Sequence, residues 1–200
     1  SGLFLANRNT ISGSCLCGIT AIDGAEGFFS ENIIQNVEGA GISIQSMGNP
    51  TIEQNRIERC THSGVICSDG GLGKLIGNTI QACSLAGIEV MNNASPTVED
   101  NHIIDSLHAG VYVHSGGRGS FKCNMIRGSG KAGVELKDCD HPIFESNVIE
   151  NGVESGMYVH GNAQATINSN EIHHNKLSGV EVKTGANPVL NHNSIHHNAI

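Results

Sequence analysis

A repeat of 23 residues runs through the whole sequence and constrains its fold more than any other feature. Three kinds of position recur at this interval: a glycine, an asparagine, and an isoleucine two residues after each asparagine. The glycines are Gly18, Gly41, Gly64, Gly87, Gly110, Gly133, Gly156 and Gly179. Such a period indicates a solenoid, in which a unit buries its apolar side only by stacking on its neighbours.

The apolar positions within each unit alternate with polar ones and are rich in valine and isoleucine, which indicates short strands. The segments are too short for helices. Three strands and three turns per unit describe one coil of a right-handed parallel β-helix, the expected hand for parallel crossovers. We therefore predict an all-β solenoid of about eight and a half coils, stacked about 4.8 Å apart. Residues 1–17 are expected to form an abbreviated first coil, and residues 18–200 the β-helix repeats of a single domain.

The asparagine column is interpreted as structural. Stacked amides can hydrogen-bond to one another and to the backbone of the bend, and asparagine tolerates the left-handed region. The glycines are expected where φ is positive or where backbones approach closely. The predicted asparagine ladder consists of Asn32, Asn55, Asn78, Asn101, Asn124, Asn147, Asn170 and Asn193.

Two polar columns are expected to point outward from one sheet. From Tyr112 onward the coils alternate Tyr-x-His with Glu-x-Lys, and both members of each pair lie on the same side of a strand. The alternative interpretation is a solvated sheet face with ordinary cross-strand charge pairs. The predicted binding surface consists of Glu89, Tyr112, His114, Glu135, Lys137, Tyr158, His160, Glu181 and Lys183.

No catalytic residue is assigned, and an enzymatic role is not favoured. Glu135 and Glu181 lie two coils apart, about 9.6 Å by strand spacing, at the upper limit for the two carboxyl groups of an inverting glycosidase. A lysine beside each glutamate would keep it ionised. The pairs His173-His174 and His196-His197 are expected to stack and could hold Zn²⁺ or Ni²⁺. Other coils carry unrelated polar residues at these positions, so we predict a polar turn, with no metal and no cofactor.

Charge and cysteine content bear on partners and compartment. The chain has 11 lysines and arginines against 19 aspartates and glutamates, a net charge of −8, which argues against nucleic acid and membranes as partners. Seven cysteines, an odd number, favour reduced thiols and a cytoplasmic or nuclear location. Cys60 and Cys83 share a column and are expected to be a stacked pair of buried thiols. Because an uncapped solenoid exposes strand edges, we expect a segment of a longer protein or end-to-end self-association.

Three units carry a family resemblance: Gly87–Ile103, Gly110–Ile126 and Gly179–Ile195. They resemble the β-helix repeats of F-box-only proteins, which act as ubiquitin-ligase substrate receptors. More distantly the chain is similar to the SHC SH2-binding protein and to bacterial proteins with carbohydrate-type β-helix repeats. The motifs of polygalacturonases and the YG-DPH motif of alginate epimerases are absent from these 200 residues.

The resemblance implies a protein-recognition scaffold, the substrate-binding β-helix of an F-box-type receptor or a similar adaptor, with a protein partner or extended peptide as ligand. One alternative is a carbohydrate-binding or carbohydrate-modifying module, in which Tyr112 and Tyr158 stack on alternate sugars. A second alternative is a purely structural or assembly solenoid.

Overall fold

The computed structural model describes residues 3–199, which form a right-handed parallel β-solenoid of about eight coils. Within these residues every regular element is a strand, and no helix is long and apolar enough to cross a membrane. The strands are β1 (Phe4–Asn7), β2 (Thr10–Ser12), β3 (Cys17–Ala21), β4 (Gly27–Ser30), β5 (Ile33–Gln35), β6 (Ala40–Ile44), β7 (Thr51–Glu53), β8 (Arg56–Glu58), β9 (Val65–Cys67), β10 (Lys74–Ile76), β11 (Thr79–Gln81), β12 (Ile88–Val90), β13 (Thr97–Glu99), β14 (His102–Ile104), β15 (Val111–His114), β16 (Ser120–Lys122), β17 (Met125–Arg127), β18 (Val134–Lys137), β19 (Asp140–Glu145), β20 (Val148–Glu150), β21 (Met157–His160), β22 (Gln164–Asn168), β23 (Glu171–His173), β24 (Val180–Val182), β25 (Val189–Asn191) and β26 (Ser194–His196).

Every third strand joins the same parallel sheet. The first sheet runs from β1 to β25, the second from β2 to β26, and the third from β3 to β24, with nine, nine and eight strands. Most pairings join residues 23 apart, as where Ile80 lies between Ile57 and Ile103. This register keeps the isoleucine column buried inside the solenoid throughout its central coils. The predicted fold class and coil length are therefore confirmed.

The asparagine column lies at the turn between the first and second sheets. The Nδ2 of Asn78 donates to Oδ1 of Asn101 at 2.9 Å and to the carbonyl of Ile52 at 2.9 Å, and its backbone N–H also donates to Oδ1 of Asn101. The same pattern recurs from coil to coil. Because these amides are buried, their mutual hydrogen bonds satisfy groups that water cannot reach.

The left-handed residue of this turn is the one before the asparagine, which corrects the sequence interpretation. Gln54 has φ 54° and Asp100 has φ 56°, whereas their neighbours Asn55 and Asn101 are absent from the positive-φ residues of the described chain. The preceding residue reverses the chain, so the asparagine side chain can turn inward. The asparagine is therefore required for its amide and not for its backbone.

The glycine column is explained by close packing. A Cβ built on Gly110 would lie 2.3 Å from Cγ2 of Ile126 and 2.8 Å from the carbonyl oxygen of Gly133. The φ of Gly110 is not positive. Of the two reasons expected for the column, close approach is therefore the one that applies: the glycine lets the third sheet start directly over the isoleucine column.

A second interior column lies at the turn between the second and third sheets, and its chemistry changes along the solenoid. Cys60 and Cys83 are buried free thiols. The hydroxyl groups of Ser106 and Ser129 are buried without a hydrogen-bond partner in the described chain. The members of this column are Val37, Cys60, Cys83, Ser106, Ser129, Gly152, Asn175 and Asn198.

Candidate functional site

The outward face of the third sheet carries the nine residues predicted as a binding surface. Tyrosine and glutamate alternate in register from strand to strand, so that Tyr112 lies between Glu89 and Glu135. Tyr158 follows Glu135 in the same way and precedes Glu181. We call this surface the tyrosine–glutamate face: Glu89, Tyr112, His114, Glu135, Lys137, Tyr158, His160, Glu181 and Lys183.

Glu89 is held by three side chains from the coils on either side. Its Oε2 accepts a hydrogen bond from the Ser63 hydroxyl at 2.6 Å and lies 4.0 Å from Nδ1 of His62. Its Oε1 lies 3.2 Å from Nε2 of His114, whose Nδ1 lies 2.9 Å from the Ser115 hydroxyl. The Glu89 side chain is 14% exposed, so part of it still reaches solvent.

Burial would raise the pKa of Glu89, but hydrogen bonds from His114 and Ser63 and the charges of His114 and His62 outweigh it. The pKa of Glu89 is therefore held below its ordinary value. The group is ionised at neutral pH and acts only as a hydrogen-bond acceptor.

The same arrangement of side chains occurs again two coils later, around Glu135. Oε1 of Glu135 lies 3.1 Å from Nε2 of His160, and its Oε2 lies 3.9 Å from Nδ1 of His108. Each member stands 46 residues after its counterpart. We name the two groups by their carboxylates: the Glu89 cluster is His62, Glu89 and His114, and the Glu135 cluster is His108, Glu135 and His160.

His62 and His108 were not among the predicted site residues. They lie in the turns that precede strands β9 and β15, outside the two columns from which the surface was predicted. The 46-residue spacing of His62 from His108, equal to that of Glu89 from Glu135, was the signal that could have identified them.

The ionic partners of Glu135 in the described chain are the two histidines, and not Lys137 as the sequence suggested. Neighbouring strands lie closer together than alternate residues of one strand, so His160 reaches Glu135 from the next coil. Lysine does pair with glutamate at the last coil, where Nζ of Lys183 lies 2.5 Å from Oε1 of Glu181. This ion pair and the Ser155 hydroxyl lower the pKa of Glu181.

The tyrosine rings are covered by histidines. Tyr112 and His114 stack with centroids 4.2 Å apart, and Tyr158 and His160 with centroids 4.3 Å apart. The ring of His108 also lies near Tyr112, with centroids 5.9 Å apart and the planes tilted by 48°. This limits the alternative in which Tyr112 and Tyr158 stack on alternate sugars, because a histidine already occupies one face of each ring. The ring edges and hydroxyl groups remain for ligand contact.

Burial and the nearby carboxylates of Glu135 and Glu89 raise the pKa of Tyr112 to about 12. The phenol therefore keeps its proton at neutral pH and can donate a hydrogen bond. Beside it, a cavity of about 120 Å³ is lined by Leu85, Ala86, Glu89, His108 and Tyr112. This cavity joins the two clusters, since Glu89 belongs to one and His108 to the other.

A larger groove of about 480 Å³ lies along the first sheet and includes Arg118, Asp140 and His141. Its charges are paired with one another: Arg118 forms an ion pair with Asp140, and Nδ1 of His141 lies 2.7 Å from the same carboxylate. We therefore regard the tyrosine–glutamate face as the better candidate site, because its donors and acceptors repeat and stay in contact with solvent.

The two pairs of adjacent histidines near the end of the chain stack as expected. His173 and His196 have ring centroids 5.1 Å apart, and His174 and His197 have centroids 5.3 Å apart. Within residues 3–199, no group of three or more histidine, cysteine, aspartate or glutamate side chains is arranged to hold a metal ion.

Known proteins share the architecture. The family model described as the right handed beta helix region matches residues 1–136 and 104–200. Among curated proteins, none matches this sequence. The comparisons do not show the predicted resemblance to F-box-only receptors.

Solved structures share the fold at low sequence identity. The A-module of the mannuronan C-5 epimerase AlgE6 from Azotobacter vinelandii superposes with a TM-score of 0.85 at 17% identity, over 96% of this chain and 58% of that one. The periplasmic alginate epimerase AlgG gives 0.67 at 16% identity, over 88% and 49%. The Agl-KA catalytic domain gives 0.73 at 13% identity, over 93% and 41%. The chain thus spans about half the length of these structures, and identities this low indicate a likeness of fold alone.

Proposed function

Because the chain belongs to the family of right-handed β-helix proteins, we propose that it binds a polysaccharide along the tyrosine–glutamate face. The observation that carries this proposal is the repetition of a half-buried carboxylate, held between two histidines, beside a tyrosine. A ligand that is itself a polymer can use such repeated groups at once.

The chemistry of the face suits a hydroxyl-rich ligand. The ionised carboxylate of Glu89 accepts hydrogen bonds, and the protonated hydroxyl of Tyr112 donates one. Sugar hydroxyls donate and accept, so a saccharide satisfies both groups. The 120 Å³ cavity between them has room for a small substituent of a sugar ring.

The solved structures of similar fold support the same class of ligand. AlgE6 is a mannuronan C-5 epimerase and AlgG is an alginate epimerase, and both mannuronan and alginate are polysaccharides. This favours the carbohydrate alternative over the ubiquitin-ligase receptor as the function of the present chain. The YG-DPH motif of alginate epimerases is absent here, and the ionised Glu89 cannot serve as a general acid. We therefore propose binding and assign no catalytic residue.

Recognition of an extended peptide, the function predicted from the resemblance to ubiquitin-ligase receptors, would use the same face. The lysine and glutamate pairs could bind a charged peptide, but nothing in the solved structures of similar fold favours one. A protein ligand is therefore the competing outcome of the experiment.

The experiment is binding of the chain to an array of linear polysaccharides, followed by titration calorimetry with soluble fragments of those that bind. We expect the double variant Glu89→Gln/Glu135→Gln to lose binding, because neutral amides cannot replace two charged acceptors. Tyr112→Phe should weaken binding less, since it removes one donor. Thermal unfolding of each variant checks that the fold is kept.

The matched control is Glu145→Gln, the same chemical change at an exposed carboxylate of the first sheet. It should bind as the unaltered chain does. Absence of binding to every polysaccharide would contradict the proposal, as would equal binding by the double variant. Capture of a peptide in place of a glycan would favour the competing function.

A further inference from the structure

The two clusters of the tyrosine–glutamate face are related by two coils, although Ser63, which donates to Glu89, has Ala109 as its counterpart. The relation covers four kinds of residue: His62 with His108, Glu89 with Glu135, His114 with His160, and Tyr112 with Tyr158. The strands that carry Tyr112 and Tyr158 alternate with those that carry Glu89 and Glu135, so tyrosine and glutamate take turns at the same position. The recognition unit is therefore a pair of coils and not a single coil.

The length of this unit follows from the sheet. Strands of a parallel sheet lie about 4.8 Å apart, so equivalent atoms of the two clusters are separated by about 9.6 Å along the solenoid axis. A ligand that satisfies both clusters in the same way must present the same groups again after this distance, in the same direction.

An extended peptide does not meet this condition. Side chains on one face of a β-strand recur about every 6.8 Å, so a peptide that fits one cluster falls out of register at the next. A polyproline helix repeats after about 9.3 Å and would keep register. Its proline nitrogens, however, donate no hydrogen bonds, whereas each cluster presents a carboxylate that accepts them.

An extended 1,4-linked β-glycan meets the condition. Successive rings of such a chain are turned over, so equivalent hydroxyls return to the same side after every disaccharide. The length of one disaccharide in the extended chain is close to the separation of the clusters. Its hydroxyls can donate to the carboxylates, and the alternate ring contacts the edge and the hydroxyl group of the tyrosine between them.

We infer, resting on the proposed glycan-binding function, that the ligand is an extended 1,4-linked β-glycan lying parallel to the solenoid axis, with one disaccharide on each pair of coils. A neutral glycan is favoured over an acidic one, because the carboxylates of Glu89 and Glu135 would face the acidic groups of the ligand.

The experiment measures how affinity depends on ligand length. Neutral β-1,4-linked gluco-oligosaccharides from the disaccharide to the hexasaccharide are titrated against the chain by calorimetry. The disaccharide reaches one cluster and the tetrasaccharide reaches both. We expect affinity to rise by about tenfold or more between these two lengths, because the second contact becomes intramolecular.

Single variants test the contribution of each cluster to binding. Glu89→Gln and Glu135→Gln should each keep binding of the disaccharide at the other cluster but abolish the rise with length, while Glu145→Gln should keep it. α-1,4-linked oligosaccharides of the same lengths, which curl, should show no rise.

The outcomes distinguish this inference from the function on which it rests. Binding without dependence on length, an equal rise with the α-linked series, or binding of acidic or branched glycans alone would overturn the inference and leave glycan binding intact. Failure to bind any glycan would overturn both. Tighter binding of a proline-rich peptide than of any β-glycan would replace the glycan with a peptide ligand.

Discussion

The interior of the solenoid and the outward face of its third sheet follow different periods. Inside, asparagine, isoleucine and glycine recur in every coil, because each coil must stack on the next in the same way. Outside, tyrosine and glutamate alternate, and the chemistry returns only after two coils. The prolines Pro50, Pro96, Pro142 and Pro188 also recur every two coils. On the outward face we attribute this longer period to the proposed ligand.

This difference separates folding from recognition along one chain. Substitutions in the asparagine, isoleucine and glycine columns should lower stability wherever they are made, and those on the tyrosine–glutamate face should change binding with little effect on stability. The following predictions test that separation, in order of decreasing effect on the free energy of unfolding.

The largest effect is expected from Gly110→Ala. The new methyl group would lie 2.3 Å from Cγ2 of Ile126 and 2.8 Å from the carbonyl oxygen of Gly133. Overpacking against backbone cannot be relieved by a side-chain rotation, so we expect a loss of about 3 kcal/mol or more. Chemical denaturation measures it.

The control for Gly110→Ala is Gly77→Asn. Gly77 has φ 62° and its Cβ would meet only Cγ of Gln54, at 3.7 Å, while other coils hold ordinary residues at this position. This change should cost less than 1 kcal/mol or so, since asparagine tolerates the left-handed region. Equal losses at the two sites would contradict the packing explanation of the glycine column.

A smaller loss is expected from Asn124→Ala. The Oδ1 of Asn124 accepts the backbone N–H and the Nδ2 of Asn101, and its own Nδ2 donates to Asn147 and to the carbonyl of Val98. Removal leaves buried partners unpaired at a cost of about 1–3 kcal/mol. Asn193→Ala, at a partly buried position near the end of the column, should cost less. An unchanged denaturation midpoint for Asn124→Ala would show that the asparagine ladder does not stabilise the fold.

The fold was predictable because every coil repeats the same signals. The asparagine, isoleucine and glycine columns each occur at least eight times, so chance substitutions at single positions do not hide them. The left-handed residue was misplaced because the position before the asparagine holds unrelated side chains, such as Gln54, Asp100 and Cys123. At that position the neighbouring turn fixes the conformation, and the residue type carries no signal.

The site was predictable only in part. Alternation within a strand identified Tyr112, Glu135 and their neighbours, since residues two apart share a face. It could not identify His62 or His108, which come from the turn of the preceding coil and meet the glutamates only after the chain has wound once. The partner of Glu135 was misjudged for the same reason: contacts between coils are closer than contacts along one strand.

As the pH falls, the stabilising contribution of Glu89 on the outward face should be lost before the hydrogen bonds of the asparagine ladder are affected. The pKa of Glu89 is lower in the folded chain than its ordinary value of 4.5. Its stabilising contribution is therefore present above that ordinary value and is lost as the pH falls through the lower folded value. The unaltered chain should lose stability over this range, and Glu89→Gln should lose less of it.

Denaturation midpoints measured from neutral pH to below the ordinary pKa test this dependence, with Glu145→Gln as the control. We expect the control to follow the unaltered chain. If Glu89→Gln shows the same acid loss as the unaltered chain, the histidine and serine contacts of Glu89 do not contribute to stability.

The smallest effect is expected from Ser106→Ala in the second interior column. The hydroxyl of Ser106 is buried and has no hydrogen-bond partner in the described chain, whereas the amide of Asn175 at the same column donates to Oδ1 of Asn198. A methyl group removes the unpaired hydroxyl at nearly the same volume, so stability should stay unchanged or rise by up to about 1 kcal/mol. Asn175→Ala should instead lower it. If Ser106→Ala is as costly as Asn124→Ala, both interior columns depend on polar contacts in every coil. An interior position would then need hydrogen bonding as well as packing. At the turn between the second and third sheets, the interior would be as chemically specific as the outward face.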